Sequence, residues 1–182
     1  HGEFRASLHI EFMVSELDAY RELRRLATAG LGISVLQRAG TEPLRQVRDI
    51  RADQYGIRTW VAGGDRPVKL EIVFEARVRL ETPGAGDLVC GISCLTPLDM
   101  AASKLLANTD RWPDDSVFSR DLIDLAMMRP SLKLLREAMA KAKGAYGEEV
   151  PRDLGKAIEK LKDRQGRLDA CMASTFTDHE VE

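Results

Sequence analysis

The stretch Arg5-Ala6-Ser7-Leu8-His9-Ile10-Glu11-Phe12 predicts the first strand of the fold. Its apolar residues Leu8, Ile10 and Phe12 alternate with polar ones, which is the two-residue period of a half-buried strand. Alternation places His9 and Glu11 on one face, about 7 Å apart along the strand. An imidazole and a carboxylate at this spacing can hold a divalent metal, although a solvated strand face has the same pattern.

A second alternating segment follows farther along the chain. Residues 55–62 and 68–75 predict two strands, and Gly63-Gly64-Asp65 between them predicts a hairpin turn. Lys69 and Glu71 share the polar face of the second strand. If that strand lies beside the first, Glu71 is a third candidate metal ligand. Three such groups on one sheet are the arrangement used for metal-assisted phosphoryl transfer.

The remaining pattern predicts an α+β fold with strands first and helices afterwards. Ser15 is the expected N-cap of a helix that ends at Gly30 and Gly32. Short strands are expected at residues 33–36 and 88–95. Thr96 and Pro97 then open a helical half. One expected helix of that half begins at Thr96, and the others run over residues 117–128, 131–145 and 151–169. We therefore predict a sheet domain at residues 1–95 and a helical bundle at 96–182.

The composition is that of an ordinary globular protein. Of 182 residues, 44% are apolar and 31% are charged. No apolar run reaches the ~20 residues that cross a bilayer, and the first residues lack the apolar core of a signal peptide. Three cysteines fit neither a disulfide framework nor a zinc knuckle. We expect a cytoplasmic protein with reduced thiols and no membrane partner, and we expect further sequence upstream of its first strand. Residues 130–167 are basic, which fits either RNA binding or a solvated helical face.

Four segments, in order, resemble the AbiEii/AbiGii-type nucleotidyltransferase toxins of the polymerase-beta-like superfamily. Residues 5–12 are similar to the family's R-x-S-x-D-I-D-F segment, and residues 68–72 to the strand that bears its third acid. Residues 95–107 resemble its helix with a functional lysine. Residues 120–125 match its R-D-x-x-D-L motif. Together the segments span residues 5–125, and their common order makes the resemblance more specific than any one of them.

The resemblance implies a nucleotidyltransferase-like mixed sheet flanked by helices, and transfer of a nucleotide from an NTP to an RNA such as tRNA, or to a protein. It implies Mg²⁺ or Mn²⁺ as the cofactor and a cognate antitoxin as a partner. It also assigns residues by position to three roles. These are metal ligands His9, Glu11 and Glu71; nucleotide-binding Ser7, Lys69, Lys104 and Arg120; and catalytic Lys104, Asp121 and Asp124.

The sequence departs from the family pattern at the acidic motif. His9 stands where the family has its first aspartate, Glu11 stands at the second, and the glycine-rich turn that precedes them is absent. Imidazole suits transition metals better than Mg²⁺. Three interpretations stay open: an active enzyme, a degenerate fold that binds nucleic acid or protein, and a piece of a longer enzyme.

The candidate residues of the helical half can also have purely structural roles. Lys104 can extend from an apolar helical stripe to the surface. Arg120, Asp121 and Asp124 can form a structural ion pair near a helix N-terminus.

Overall fold

Two compact units make up the chain in a computed structural model that describes residues 9–37, 40–163 and 166–176. The sheet unit lies within Ser7–Arg79 and the helical unit within Leu80–Glu182. Ser7 itself, a predicted nucleotide ligand, lies outside the described residues. The sequence-predicted domain boundary between residues 95 and 96 stays a prediction.

The sheet unit contains one mixed four-stranded sheet in the order β1-β4-β3-β2. The edge strand β1 runs parallel to β4, and the other pairs are antiparallel. The predicted hairpin is confirmed, and Gly64 in its turn adopts a left-handed φ of 54° that favours glycine. The strands are β1 (His9–Val14), β2 (Gln46–Ala52), β3 (Gly56–Gly63) and β4 (Arg66–Phe74).

Helix α1 (Leu17–Leu26) covers one face of this sheet. Tyr20 is 1% exposed and packs with the buried strand residues Ile57 and Ile72. Its ring stacks on Phe74 at 5.0 Å between centroids, and its hydroxyl donates to the Asp53 carbonyl at 2.7 Å. The alternating apolar residues of β3 and β4 therefore form the core, and the residues between them make up the opposite face.

Two predictions for the sheet unit were wrong, and one strand was not predicted. Residues 33–36 belong to a 3₁₀ turn (Gly32–Leu36) after a π turn (Ala27–Leu31), because a short apolar run does not distinguish strand from helix by its period. The helix N-cap is Glu16 rather than Ser15, and it makes no side-chain cap hydrogen bond. Strand β2 was missed because its charged, exposed residues hide the alternation.

The helical unit packs its helices around α2. Thr96 caps α2 as predicted, accepting from the Asp99 backbone N–H at 3.2 Å, and Pro97 begins the helix. Leu105 and Leu106 are fully buried. The helices are α2 (Pro97–Arg111), α3 (Arg120–Met127), α4 (Leu132–Tyr146), α5 (Glu149–Asp163) and α6 (Arg167–Phe176).

Two helical-unit predictions need correction. Residues 88–95 form a small hairpin of β5 (Leu88–Val89) and β6 (Ile92–Ser93), because Cys90 and Gly91 both have positive φ and turn the chain back. The helix expected over 151–169 is two helices, α5 and α6, with Gly166 at φ 73° before the second. The α+β prediction, with a mixed sheet and helices, is confirmed. Within the described ranges, no helix is both long and apolar enough to span a bilayer.

Candidate functional site

Strand register brings the candidate metal ligands together on the sheet face opposite α1. In the parallel pair β1–β4, Glu11 lies beside Glu71, and His9 lies beside Lys69. In the antiparallel pair β3–β4, Arg58 lies on the other side of Glu71. Because side chains two residues apart share a face, all five side chains emerge on the same side.

His9, Glu11 and Glu71 offer one ligand atom each, and these atoms lie within 4.8 Å of one another. The His9 Nε2 is 3.6 Å from Glu11 Oε2, and these two side chains are 43% and 41% exposed. Glu71 is more enclosed, with 14% of its side chain exposed. The cluster is therefore open to solvent on the β1 side and held by neighbours on the β3 side.

Two cations hold the Glu71 carboxylate. Lys69 Nζ lies 3.0 Å from Oε2, and Arg58 Nε lies 3.3 Å from Oε1. Arg58 is itself anchored at 3.2 Å to Asp53. The pKa of Asp53 lies below its ordinary value, because its carboxylate accepts the Tyr55 and Gly56 backbone N–H groups and faces Arg58.

The donor set fits a divalent cation. Cis ligands around an octahedral ion at about 2.1 Å lie about 3 Å apart, so modest side-chain rotations close this cluster around one ion. Carboxylate oxygens suit Mg²⁺ and Mn²⁺, whereas the imidazole of His9 shifts the preference towards a transition metal. Of these three residues, His9 is therefore the one that discriminates between ions.

Further cations continue the same face towards β2. The Arg48 guanidinium lies 4.7 Å from the centroid of the Trp60 ring. Together with Arg51, Arg58 and Lys69, these residues line an open concavity of about 550 Å³. This part of the face carries positive charge beside the acidic cluster.

The helical unit contains a separate acid–cation cluster on α2 and α3. Lys104 Nζ lies 2.5 Å from Asp124 Oδ2 and 4.0 Å from Asp121 Oδ1. Arg111 Nη2 lies 2.7 Å from Asp121 Oδ1. The two aspartate side chains are only 5% and 10% exposed, whereas Lys104 is 30% exposed. This arrangement holds the lysine in place through buried acids.

The structure brings several of the predicted site residues together, and two of their partners were not predicted. Lys104, Asp121 and Asp124 are brought together, whereas the predicted ligand Arg120 is exposed at the start of α3. Arg111 was missed, although it lies seven residues after Lys104 and therefore on the same helical face. Arg58 was missed because its position beside Glu71 depends on strand register.

Comparison with known proteins identifies one family. Residues 1–181 match the sequence profile of the family described as nucleotidyl transferase AbiEii toxin, type IV TA system. No curated protein and no solved structure is significantly similar to the chain. The family match covers nearly the whole sequence, so the chain belongs to the AbiEii nucleotidyl transferase toxin family of type IV toxin–antitoxin systems.

Proposed function

We propose that the protein is a cytoplasmic, metal-dependent toxin that transfers a nucleotide from an NTP to an RNA, such as tRNA, or to a protein. A cognate antitoxin would counteract it, as its family implies. The observation that supports the proposal best is the convergence of His9, Glu11 and Glu71 within 4.8 Å on one sheet face. Ligands from two neighbouring strands hold an ion more rigidly than loop residues do.

In the proposed reaction, an acceptor hydroxyl oxygen forms a bond to the α-phosphorus, the bond to the β-phosphate oxygen breaks, and pyrophosphate leaves with the hydroxyl proton released. A bound divalent ion would neutralise the charge of the triphosphate. Glu11, Glu71 and His9 would hold that ion. Lys69 and Arg58, which stand beside Glu71, would bind phosphate oxygens, because cations stabilise the charge that develops in phosphoryl transfer.

Lys104 is proposed to contact phosphate, as its motif implies. Its ammonium lies against Asp124, and 30% of the side chain remains exposed for a ligand. Asp121 and Asp124 are too enclosed to bind a nucleotide directly, so they are proposed as positioning residues for Lys104. Replacing Lys104 with Met should reduce transfer, while a merely structural lysine would change the melting temperature alone.

Labelling from α-phosphate-labelled NTPs tests the proposed function. Purified protein is incubated with each NTP, total RNA or total protein, and Mg²⁺ or Mn²⁺. Labelled acceptor is expected with wild type, and Glu71→Gln should reduce the rate by about 100-fold. Glu22→Gln is the control, since Glu22 is an exposed acid on α1 paired with Arg25. Equal labelling by wild type and Glu71→Gln would contradict the site.

A degenerate fold that only binds nucleic acid or protein is the second candidate. The imidazole at His9 and the two cations on Glu71 favour it, because both reduce the negative charge offered to a metal. This candidate predicts that RNA or a partner protein binds without any incorporation of label. A basic surface that binds RNA would also weaken steeply with salt.

A further inference from the structure

Both carboxylate oxygens of Glu71 are already engaged. Lys69 approaches one oxygen at 3.0 Å, and Arg58 approaches the other at 3.3 Å. Glu71 is 14% exposed, whereas the two cations are 38% and 37% exposed. A metal that binds Glu71 therefore competes with two cations for the same carboxylate, and both cations have solvent into which they can turn.

The charges on this face nearly cancel before any ligand arrives. Glu11, Glu71 and Asp53 supply three negative charges; Lys69 and Arg58 supply two positive charges within ion-pair distance of Glu71, and Arg58 also pairs with Asp53. The imidazole of His9 adds no charge as a neutral metal ligand. Because each cation offsets part of the attraction that the acids exert on a cation, the face attracts a bare divalent ion less than the same acids would without these partners.

We propose that Lys69 and Arg58 exchange partners when nucleotide binds: they leave Glu71 for the triphosphate, and Glu71 becomes free to hold the metal. The inference rests on the proposed function, because it requires His9, Glu11 and Glu71 to be the metal site. A triphosphate supplies several anionic oxygens that the Arg58 fork and the Lys69 ammonium match. Asp53 lies 3.2 Å from Arg58 and would hold it at this face during the exchange.

The exchange makes metal and nucleotide binding interdependent. Bare metal has to compete with two cations, whereas the metal–nucleotide complex provides the cations with a new partner as it takes Glu71. Removing one cation should therefore have opposite effects: tighter binding of bare metal and weaker binding of the metal–nucleotide complex. A lysine that only stabilised the strand would alter both in the same direction or neither.

Isothermal titration of wild type, Lys69→Gln and Arg58→Gln with Mn²⁺ alone, and with the Mn²⁺ complexes of ATP, GTP, CTP and UTP, tests the exchange. We expect each variant to bind bare Mn²⁺ about three- to tenfold more tightly than wild type, and the preferred complex about tenfold more weakly. Arg66→Gln is the matched control, because Arg66 is an exposed cation on the same strand. It should leave both affinities unchanged, and matched circular dichroism spectra establish that the variants fold.

The outcomes separate this inference from the proposed function. Suppose that wild type binds a Mn²⁺–nucleotide complex. If Lys69→Gln and Arg58→Gln then bind both bare Mn²⁺ and the complex more weakly, or bind both as Arg66→Gln does, the exchange is overturned and the proposed function stands. If neither Mn²⁺ nor any complex binds wild type or variants, the metal site fails and the exchange fails with it. Opposite changes in the two cation variants support the exchange.

Discussion

The sheet unit and the helical unit each contain acids beside cations, but the two clusters differ in exposure. On the sheet, the side chains of His9 and Glu11 are 43% and 41% exposed, while Glu71 beside them is 14% exposed. In the helical unit, the side chains of Asp121 and Asp124 are 5% and 10% exposed and lie against Lys104 and Arg111. Similar residue types therefore occur in two different environments.

The difference in exposure indicates which cluster can bind a metal and which one mainly stabilises the fold and positions a lysine. A buried carboxylate that has lost its hydration needs a permanent cation, so its contribution is mainly to stability and positioning. An exposed carboxylate retains its hydration and can exchange water for a metal. The exposure of Glu11 therefore supports the proposed metal site on the sheet face, and the burial of Asp121 and Asp124 supports their proposed positioning role.

The largest stability effect is expected at the most buried ion pair of the helical unit. Lys141 on α4 reaches Asp99, which is fully buried and also accepts the Glu81 backbone N–H at 2.6 Å. Lys141→Met should lower the free energy of unfolding by about 3 kcal/mol, because it leaves a buried charge unpaired. Urea denaturation measures it. Lys133→Met, on the same helix at 86% exposure, should be nearly neutral. If both variants lose the same free energy of unfolding, the expected difference between the buried and the exposed ion pair is wrong.

A somewhat smaller effect is expected at Glu75, the buried acid of the sheet unit. It is 2% exposed and accepts from the Arg77 backbone N–H at 2.8 Å and from Nη2 at 2.6 Å. Burial raises the pKa of Glu75, but the hydrogen bonds and charge of Arg77 outweigh it and hold the pKa below its ordinary 4.5. Glu75→Gln should cost about 2 kcal/mol at neutral pH.

The pH dependence of this cost follows from the sign of the shift. A lowered folded-state pKa stabilises the fold above the ordinary pKa of 4.5, and the stabilisation is lost as pH falls through the folded value. Wild type and Glu75→Gln should therefore differ most above pH 5 and converge in acid. Urea denaturation from pH 7 to pH 3 measures the difference, and a constant difference across this range would contradict the assignment.

The smallest of these effects is expected in metal selectivity. His9→Asp should shift the preference from Mn²⁺ towards Mg²⁺ by about tenfold, since Mg²⁺ favours oxygen ligands. His9→Asn is the matched control, because it supplies an oxygen without adding charge. Titrations with each ion in the presence of nucleotide give the ratio of affinities. If the ratio of Mn²⁺ to Mg²⁺ affinity is unchanged in both variants, His9 is not a metal ligand, and only Glu11 and Glu71 remain as candidates.

Local patterns predicted much of the sheet, whereas partners across the fold were harder to predict. Alternation and the glycine turn were enough for the β3–β4 hairpin, and the same alternation placed Glu11 and Glu71 on polar faces. Strand β2 was missed because its exposed charges mask the period. Arg58 was missed because the strand register that brings it to Glu71 comes from tertiary pairing, which no single segment encodes.

In the helical unit, capping chemistry is local and was predicted, as Thr96 shows. The pairing of Asp99 with Lys141 joins residues 42 positions apart, so neither propensity nor helical period indicates it. Sequence motifs found Lys104 and its aspartates, but their burial, which separates a positioning role from a ligand role, required the packed helices.

The most direct test of the proposed metal site is the anomalous scattering of Mn²⁺ in crystals soaked with the ion and a nucleotide. We expect an anomalous peak among the His9 Nε2 and the carboxylates of Glu11 and Glu71, at about 2.0–2.3 Å from each ligand atom. A peak beside Asp121 and Asp124 would contradict the proposed metal site at His9, Glu11 and Glu71. The absence of any peak on the sheet face would contradict it as well.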